Sequence, residues 1–142
     1  MKRILTTVMV ILLILSFFLA GCGGGPALEN INWILLSYGD PETPFAVLSD
    51  TEITVRFNQG TQQIRGNSGC NWYTGEYEIK GNNLLIKGPF AVTEMWCGNE
   101  VDTQEKAYLE ILLAAESYEV GSDILEIFSG DDVLYFGREE TD

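Results

Sequence analysis

The alternation of apolar and polar positions organises the reading of this chain. Over residues 51–58, Ile53, Val55 and Phe57 fall on one side and Thr54, Arg56 and Asn58 on the other. That period of two is the mark of a strand buried on one face. Gln59-Gly60-Thr61 supplies a turn, and residues 63–67 are expected to pair back as the hairpin partner. Residues 32–39 form an earlier strand with Trp33 and Leu35 on one face, ended by Gly39 and the turn residues Asp40-Pro41. Residues 75–80 alternate again, with Tyr77 and Ile79 inward. Gly81-Asn82-Asn83 turns the chain into residues 84–87, and residues 90–95 make a further extended piece. Near the end, residues 123–128 and 133–136 flank Gly130-Asp131-Asp132, which reads as a hairpin loop.

One helix interrupts this pattern. Asp102-Thr103-Gln104-Glu105 matches a capping box, in which Asp102 accepts from the free N–H groups and Glu105 reaches back to the cap. Tyr108, Ile111, Leu112 and Ala115 follow as an apolar stripe, while Glu105, Lys106 and Glu110 are expected to face water. A lone amphipathic helix needs one apolar partner, here an open end or face of the sheet. The predicted fold is α+β: a compact curled antiparallel sheet, a partial barrel, with one main helix packed on it.

The first residues follow another pattern. Lys2 and Arg3 precede a nearly unbroken apolar run over residues 4–19, the form of a secretory leader and slightly short for a spanning helix. Leu19-Ala20-Gly21-Cys22 resembles a lipobox, which marks residues 1–21 as a lipoprotein signal peptide and Cys22 as the lipidated first residue. The alternative is an uncleaved signal anchor with an incidental cysteine. Residues 22–30 contain three consecutive glycines and read as a flexible tether reaching roughly 15 Å, leaving 31–142 as the folded domain. Diacylglyceryl and N-acyl chains on Cys22 suffice for stable anchoring in a membrane. Gly23 is not the aspartate that retains lipoproteins at an inner membrane, so both the cell membrane and an outer membrane stay open as the extracytoplasmic location.

Charge narrows the partners. The chain carries 21 acidic and 8 basic side chains and no histidine. Loss of Lys2 and Arg3 with the leader leaves six basic against 21 acidic side chains, a net charge of −15. Such a body repels nucleic acid and anionic headgroups and suits a basic protein partner, or solubility alone. Without histidine there is no Ser-His-Asp or Cys-His pair and no imidazole metal ligand. Two cysteines alone make a poor zinc site. No catalytic residue, metal or cofactor is assigned.

Once Cys22 is set aside, Cys70 and Cys97 remain. In an oxidising compartment they are expected to join, the alternative being two buried thiols. Closing a loop of about 28 residues stabilises a fold by ~3–4 kcal/mol in the chain-entropy account.

Gly69-Cys70-Asn71, then Tyr73, Gly75 and Tyr77, then Thr93-x-Met95-x-Cys97, resembles the META domain, also called the HslJ-like or DUF306 family. Trp33-x-Leu35 and Leu134-x-Phe136 fit its ends, so the resemblance covers roughly residues 30–137. Trp72 stands where many members carry a basic residue, and Ser68 where a second glycine is common. The resemblance implies a compact α+β fold, frequent export as a lipoprotein, a loose association with envelope stress, and no established reaction. As architecture, Gly66, Gly69 and Gly75 permit bends or close backbone approach, Asn71 bonds backbone within its turn, and Tyr73 and Tyr77 are core or rim aromatics.

The leading functional expectation is a monomeric, non-enzymatic envelope lipoprotein that binds an envelope protein. The alternative is a small-ligand binder with an apolar pocket lined by Trp33, Trp72, Phe90 and Trp96, residues whose ordinary place is the core. An enzyme would have to use Glu76 and Glu78, two residues apart on one strand face, a spacing that also describes an ordinary wet face. Asp131-Asp132 and Ser122-Asp123 lack EF-hand spacing and read as turns.

Overall fold

The computed structural model describes residues 27–140; the apolar run, the lipobox, Cys22 and the glycines that follow lie outside the described residues. Strands β1 (Asn32–Gly39), β2 (Phe45–Ala46), β3 (Thr54–Asn58), β4 (Gln63–Asn67), β5 (Trp72–Lys80) and β6 (Asn83–Val92) precede helix α1 (Asn99–Leu113). Strands β7 (Ser117–Val120), β8 (Ile124–Ser129) and β9 (Asp132–Arg138) follow it. All pairings are antiparallel, in the order β2-β1-β3-β4-β5-β6-β7-β8-β9, and β9 returns to pair with β1. The α+β class, the antiparallel sheet and its helix are as the sequence predicts. The strands pair in a ring and not as a partial barrel. The ring is thinnest between β6 and β7, where Asn83 faces Ser117 and Leu84 N–H donates to Glu116 O at 3.0 Å.

The alternating residues point where their period says. Ile53, Val55 and Phe57 are buried, as are Trp33 and Leu35 of β1 and Leu125, Ile127, Leu134 and Phe136 of the last hairpin. Tyr108 and Leu112 press the helix onto this core. Tyr108 is held edge-on by two rings, Tyr73 at 5.9 Å and Phe136 at 6.4 Å between centroids. Phe57 meets Tyr77 edge-on at 5.1 Å. Such aromatic pairs add about 0.5–1.5 kcal/mol each beyond the area they bury.

Several expectations are corrected. The pieces at 84–87 and 90–95 are one strand, β6, and residues 93–95 are loop; pairing with β5 resumes at Ala91 after a register shift opposite Gly75 that takes up Gly88-Pro89. The short strands β2 and β7 carry too few alternating residues to stand out in the sequence. The helix begins at Asn99, with Gly98 as a cap that makes no side-chain hydrogen bond. Asp102 is already inside the first turn, where its N–H donates to Gly98 O and its carboxylate pairs with Lys106 at 2.8 Å. The folded body also starts before residue 31. Leu28 is buried, its carbonyl accepts from Trp33 Nε1 at 3.0 Å, and Asn30 N–H donates to Phe57 O at 2.7 Å.

Three phenols lie in this interior. Burial raises the pKa of Tyr73, with Tyr108 adding to the effect. Burial likewise raises Tyr77, helped by its hydrogen bond to the Glu29 carboxylate, and raises Tyr108. An acid whose folded pKa exceeds its unfolded value of about 10 contributes stability below that pH and loses it as pH climbs further. The expected outcome is stability insensitive to these tyrosines up to about pH 10, then falling by at most ~1.4 kcal/mol per pH unit for each. Urea unfolding followed against pH, with tyrosinate absorbance rising together with unfolding, checks it.

Candidate functional site

Most of the family-like residues gather where the β4–β5 turn meets the loop before α1, while Tyr77 lies apart, bonded to Glu29 and packed on Phe57. Gly66 lies so close to β3 that a Cβ there would stand 1.9 Å from Thr54 O, which only glycine tolerates. That carbonyl instead accepts from Tyr73 Oη at 2.9 Å, and Tyr73 Oη lies 2.7 Å from Tyr108 Oη. Gly69 takes φ +102°, and its N–H donates to Asn67 Oδ1 at 2.8 Å. Ser68 N–H closes the turn onto Asn71 O at 2.8 Å. Gly75 sits at the β5–β6 register shift, with the Phe90 ring against its Cα face.

Asn71 is the joint of the site. Its Oδ1 accepts from Met95 N–H at 2.7 Å and Thr93 Oγ1 at 2.8 Å; its Nδ2 donates to Met95 O at 3.1 Å and Glu105 Oε1 at 2.8 Å. A side-chain amide offers two donors and two acceptor lone pairs, and all four are used. The expected bond within its own turn is replaced by bonds to a loop 24 residues away. Met95 therefore takes part through its backbone, its side chain being exposed. Thr93 Oγ1 also accepts from Trp72 N–H at 3.1 Å.

Glu105 points inward, contrary to the expected wet face. Its carboxylate accepts from Ser68 Oγ, from Asn71 N–H at 3.0 Å and from Asn71 Nδ2. Beside it, buried Gln104 accepts from Leu48 N–H at 2.8 Å and donates to Thr51 Oγ1 at 2.9 Å. The sequence held a signal for Glu105 in its spacing from Tyr108 and Leu112, which puts it on the apolar face. Its charge alone predicts the opposite, solvent-facing side. Ser68 is fully buried, and its Oγ donates to the Glu105 carboxylate.

Cys70 and Cys97 are joined, with Cα atoms 6.0 Å apart, and the bridge ties the turn to the loop leading into α1. Around it Trp72, Met95 and Trp96 are exposed at 62%, 56% and 78%. Trp33 is sealed in the core and Phe90 half-buried, so the four proposed pocket aromatics share no interior pocket, and two of them are not core. Glu78 pairs with Lys87 at 2.7 Å, which lowers the Glu78 pKa and raises that of Lys87 through their hydrogen bond. Among the described residues no group of three or more His, Cys, Asp or Glu is placed to hold a metal.

Asn71→Ala is expected to cost about 2–4 kcal/mol, since it strands Met95 N–H and one Glu105 oxygen in a buried place. Glu105→Ala, which strands Asn71 N–H and one Nδ2 hydrogen while Ser68 Oγ keeps Asn71 O as acceptor at 2.8 Å, is expected to cost about 2–4 kcal/mol. Denaturant unfolding under oxidising conditions measures both.

No curated protein matches the chain. Among solved structures, the NMR structure of a protein from Burkholderia xenovorans superposes with a TM-score of 0.68 at 27% identity, over 80% of this chain and 85% of that one. Another NMR structure gives 0.59 at 21% identity, over 78% and 90% of the two chains. The crystal structure of a DUF4847 family protein from Bacteroides vulgatus gives 0.57 at 11%, over 81% and 96%. These last two share the fold. The sequence profile of the META domain matches residues 26–141, most of the chain, and the protein belongs to the META domain family.

Proposed function

We propose that this META domain protein is a non-enzymatic, monomeric binding protein of the cell envelope, exported and lipid-anchored through Cys22, with a protein as its partner. The observation that carries the reading is how the signature spends its polar atoms. Asn71, Ser68 and Glu105 satisfy one another in a buried network, leaving none of them a free group to offer a substrate. The same network holds out Trp72, Met95 and Trp96, the residue kinds that anchor protein interfaces. A bridged cysteine pair suits an oxidising compartment, in keeping with the leader and lipobox. The acidic body favours a basic partner, and a stress-related role fits an anchored scaffold of this kind.

A small-ligand role keeps one supporting observation. An apolar cleft of about 430 Å³ lies between α1 and the β1–β2 segment, walled by Tyr38, Phe45, Leu48 and Ala107. It replaces the interior pocket that the aromatic residues suggested.

A photoreactive residue at position 96 is expected to give a discrete crosslinked protein in intact envelopes, and one at Ile124, also exposed, is not. Equal products from both positions overturn the partner reading. Mass spectrometry of the mature N-terminus is expected to show an acylated Cys22; an unmodified cysteine or an intact leader overturns the anchor.

A further inference from the structure

Arg56 on β3 and Arg65 on β4 are direct partners across the sheet. Like charges in that position repel, so the fold alone gives no reason for the pair. Neither arginine makes an ion pair among the described residues, although the chain has 21 acidic side chains against 8 basic ones. Arg56 Nη1 donates to Asn32 Oδ1 at 2.9 Å, and the other end of that amide is committed to Glu139 Oε2 at 2.6 Å. Arg56 Nε is buried with no acceptor, the one side-chain polar atom so placed among the described residues. A buried donor left unmade is costly, and a small shift of the Arg56 side chain onto a bound oxyanion would satisfy it.

Both guanidinium groups line a cleft of about 610 Å³ that borders the Gly69 turn and has Trp72 on its wall. Two arginines on paired positions of one cleft suit the binding of a carboxylate or phosphate, which a guanidinium takes bidentately. The volume exceeds what a bare anion needs, and Asp50, Glu52 and Glu139 line the same cleft. Those carboxylates, with the net charge of −13, oppose a polyanion. They favour a ligand that carries its own cation, which Trp72 is suited to face.

We infer that the Arg56–Arg65 cleft binds a compact zwitterion, with a carboxylate or phosphate on the arginines and an ammonium group a few bonds away on the acidic rim. Two sources share this chemistry: a free amino acid and an aminoethyl phosphate headgroup. This goes beyond the protein-binding reading and does not rest on it.

The test is an NMR titration of the full chain in nonionic detergent with glycine, O-phosphoethanolamine and inorganic phosphate as separate probes. One zwitterion is expected to shift the Arg56 and Arg65 side-chain N–H signals and the Trp72 indole N–H saturably, and which one does so identifies the source. Arg65→Gln, an exposed change, is expected to weaken binding by about tenfold with the remaining spectrum unchanged. Glu52→Gln is expected to weaken the zwitterion and spare inorganic phosphate. Absence of saturable shifts, an Arg65→Gln protein that binds unchanged, or inorganic phosphate binding as tightly as the zwitterion would each overturn the proposal.

Discussion

A buried carboxylate on a helix, Glu105, holds three parts of this protein together. Removing such a group from water costs several kcal/mol, offset only by good geometry and enough donors. Here Ser68 Oγ and both nitrogens of Asn71 supply them. Charge-assisted bonds of this kind are roughly twice as strong as neutral ones. Asn71 then passes the constraint to the loop through Met95 and Thr93, so the β4–β5 turn, the loop before α1 and the helix are fixed by one cluster. The helix start has no side-chain cap of its own, which makes this tie the more consequential. The Cys70–Cys97 bridge acts on the same joint from the other side of the equilibrium, by restricting the unfolded chain.

That division of labour shapes what the region can offer. Polar groups saturated by one another hold position and are not free for chemistry, whereas the backbone they fix is rigid enough to present side chains outward. Trp72 follows Asn71 directly, and Met95 and Trp96 precede the bridged Cys97. Large rings on an ordered support lose little conformational freedom on contact, the condition under which exposed aromatics become binding anchors. Trp72 also shows why a family position does not carry one role: a basic residue there would place charge where this chain places an indole beside two arginines.

Most of the sheet was legible because strand burial has a period of two and its residues are unambiguous. Ile53, Val55 and Phe57 require nothing beyond alternation and a turn at Gly60. The sulfur pair was legible by elimination, and the glycines as sites of bends or close backbone approach. What stayed hidden was every element whose identity depends on a distant partner. Strand β7 is four residues long and exists because β8 pairs along it. The pairing that keeps residues 83–92 one strand across a register shift comes from β5. Glu105 is hidden for a different reason: propensity rules place a charge outside, and only Ser68 and Asn71, 37 and 34 residues away, reverse that preference. The capping-box reading failed with it, since the two residues that formed the box are committed elsewhere, Asp102 to Lys106 and Glu105 to the turn.

The basic side chains divide along the same lines. Lys87 and Lys106 pair with carboxylates on the exposed surface, contacts that solvent weakens and that add little to stability. The arginines are placed otherwise: Arg138 lies 5.5 Å from the Trp33 ring, and Arg56 and Arg65 are cross-strand neighbours lining one cleft. A guanidinium is more weakly hydrated than an ammonium and offers fixed donors in a plane, so it is the group suited to partial burial and directed binding. In a chain so short of positive charge, setting two such groups together without a carboxylate partner incurs a repulsion that packing does not require. A zwitterion answers both sides of that cleft, its anion set against the arginine pair and its cation against Asp50, Glu52 and Glu139.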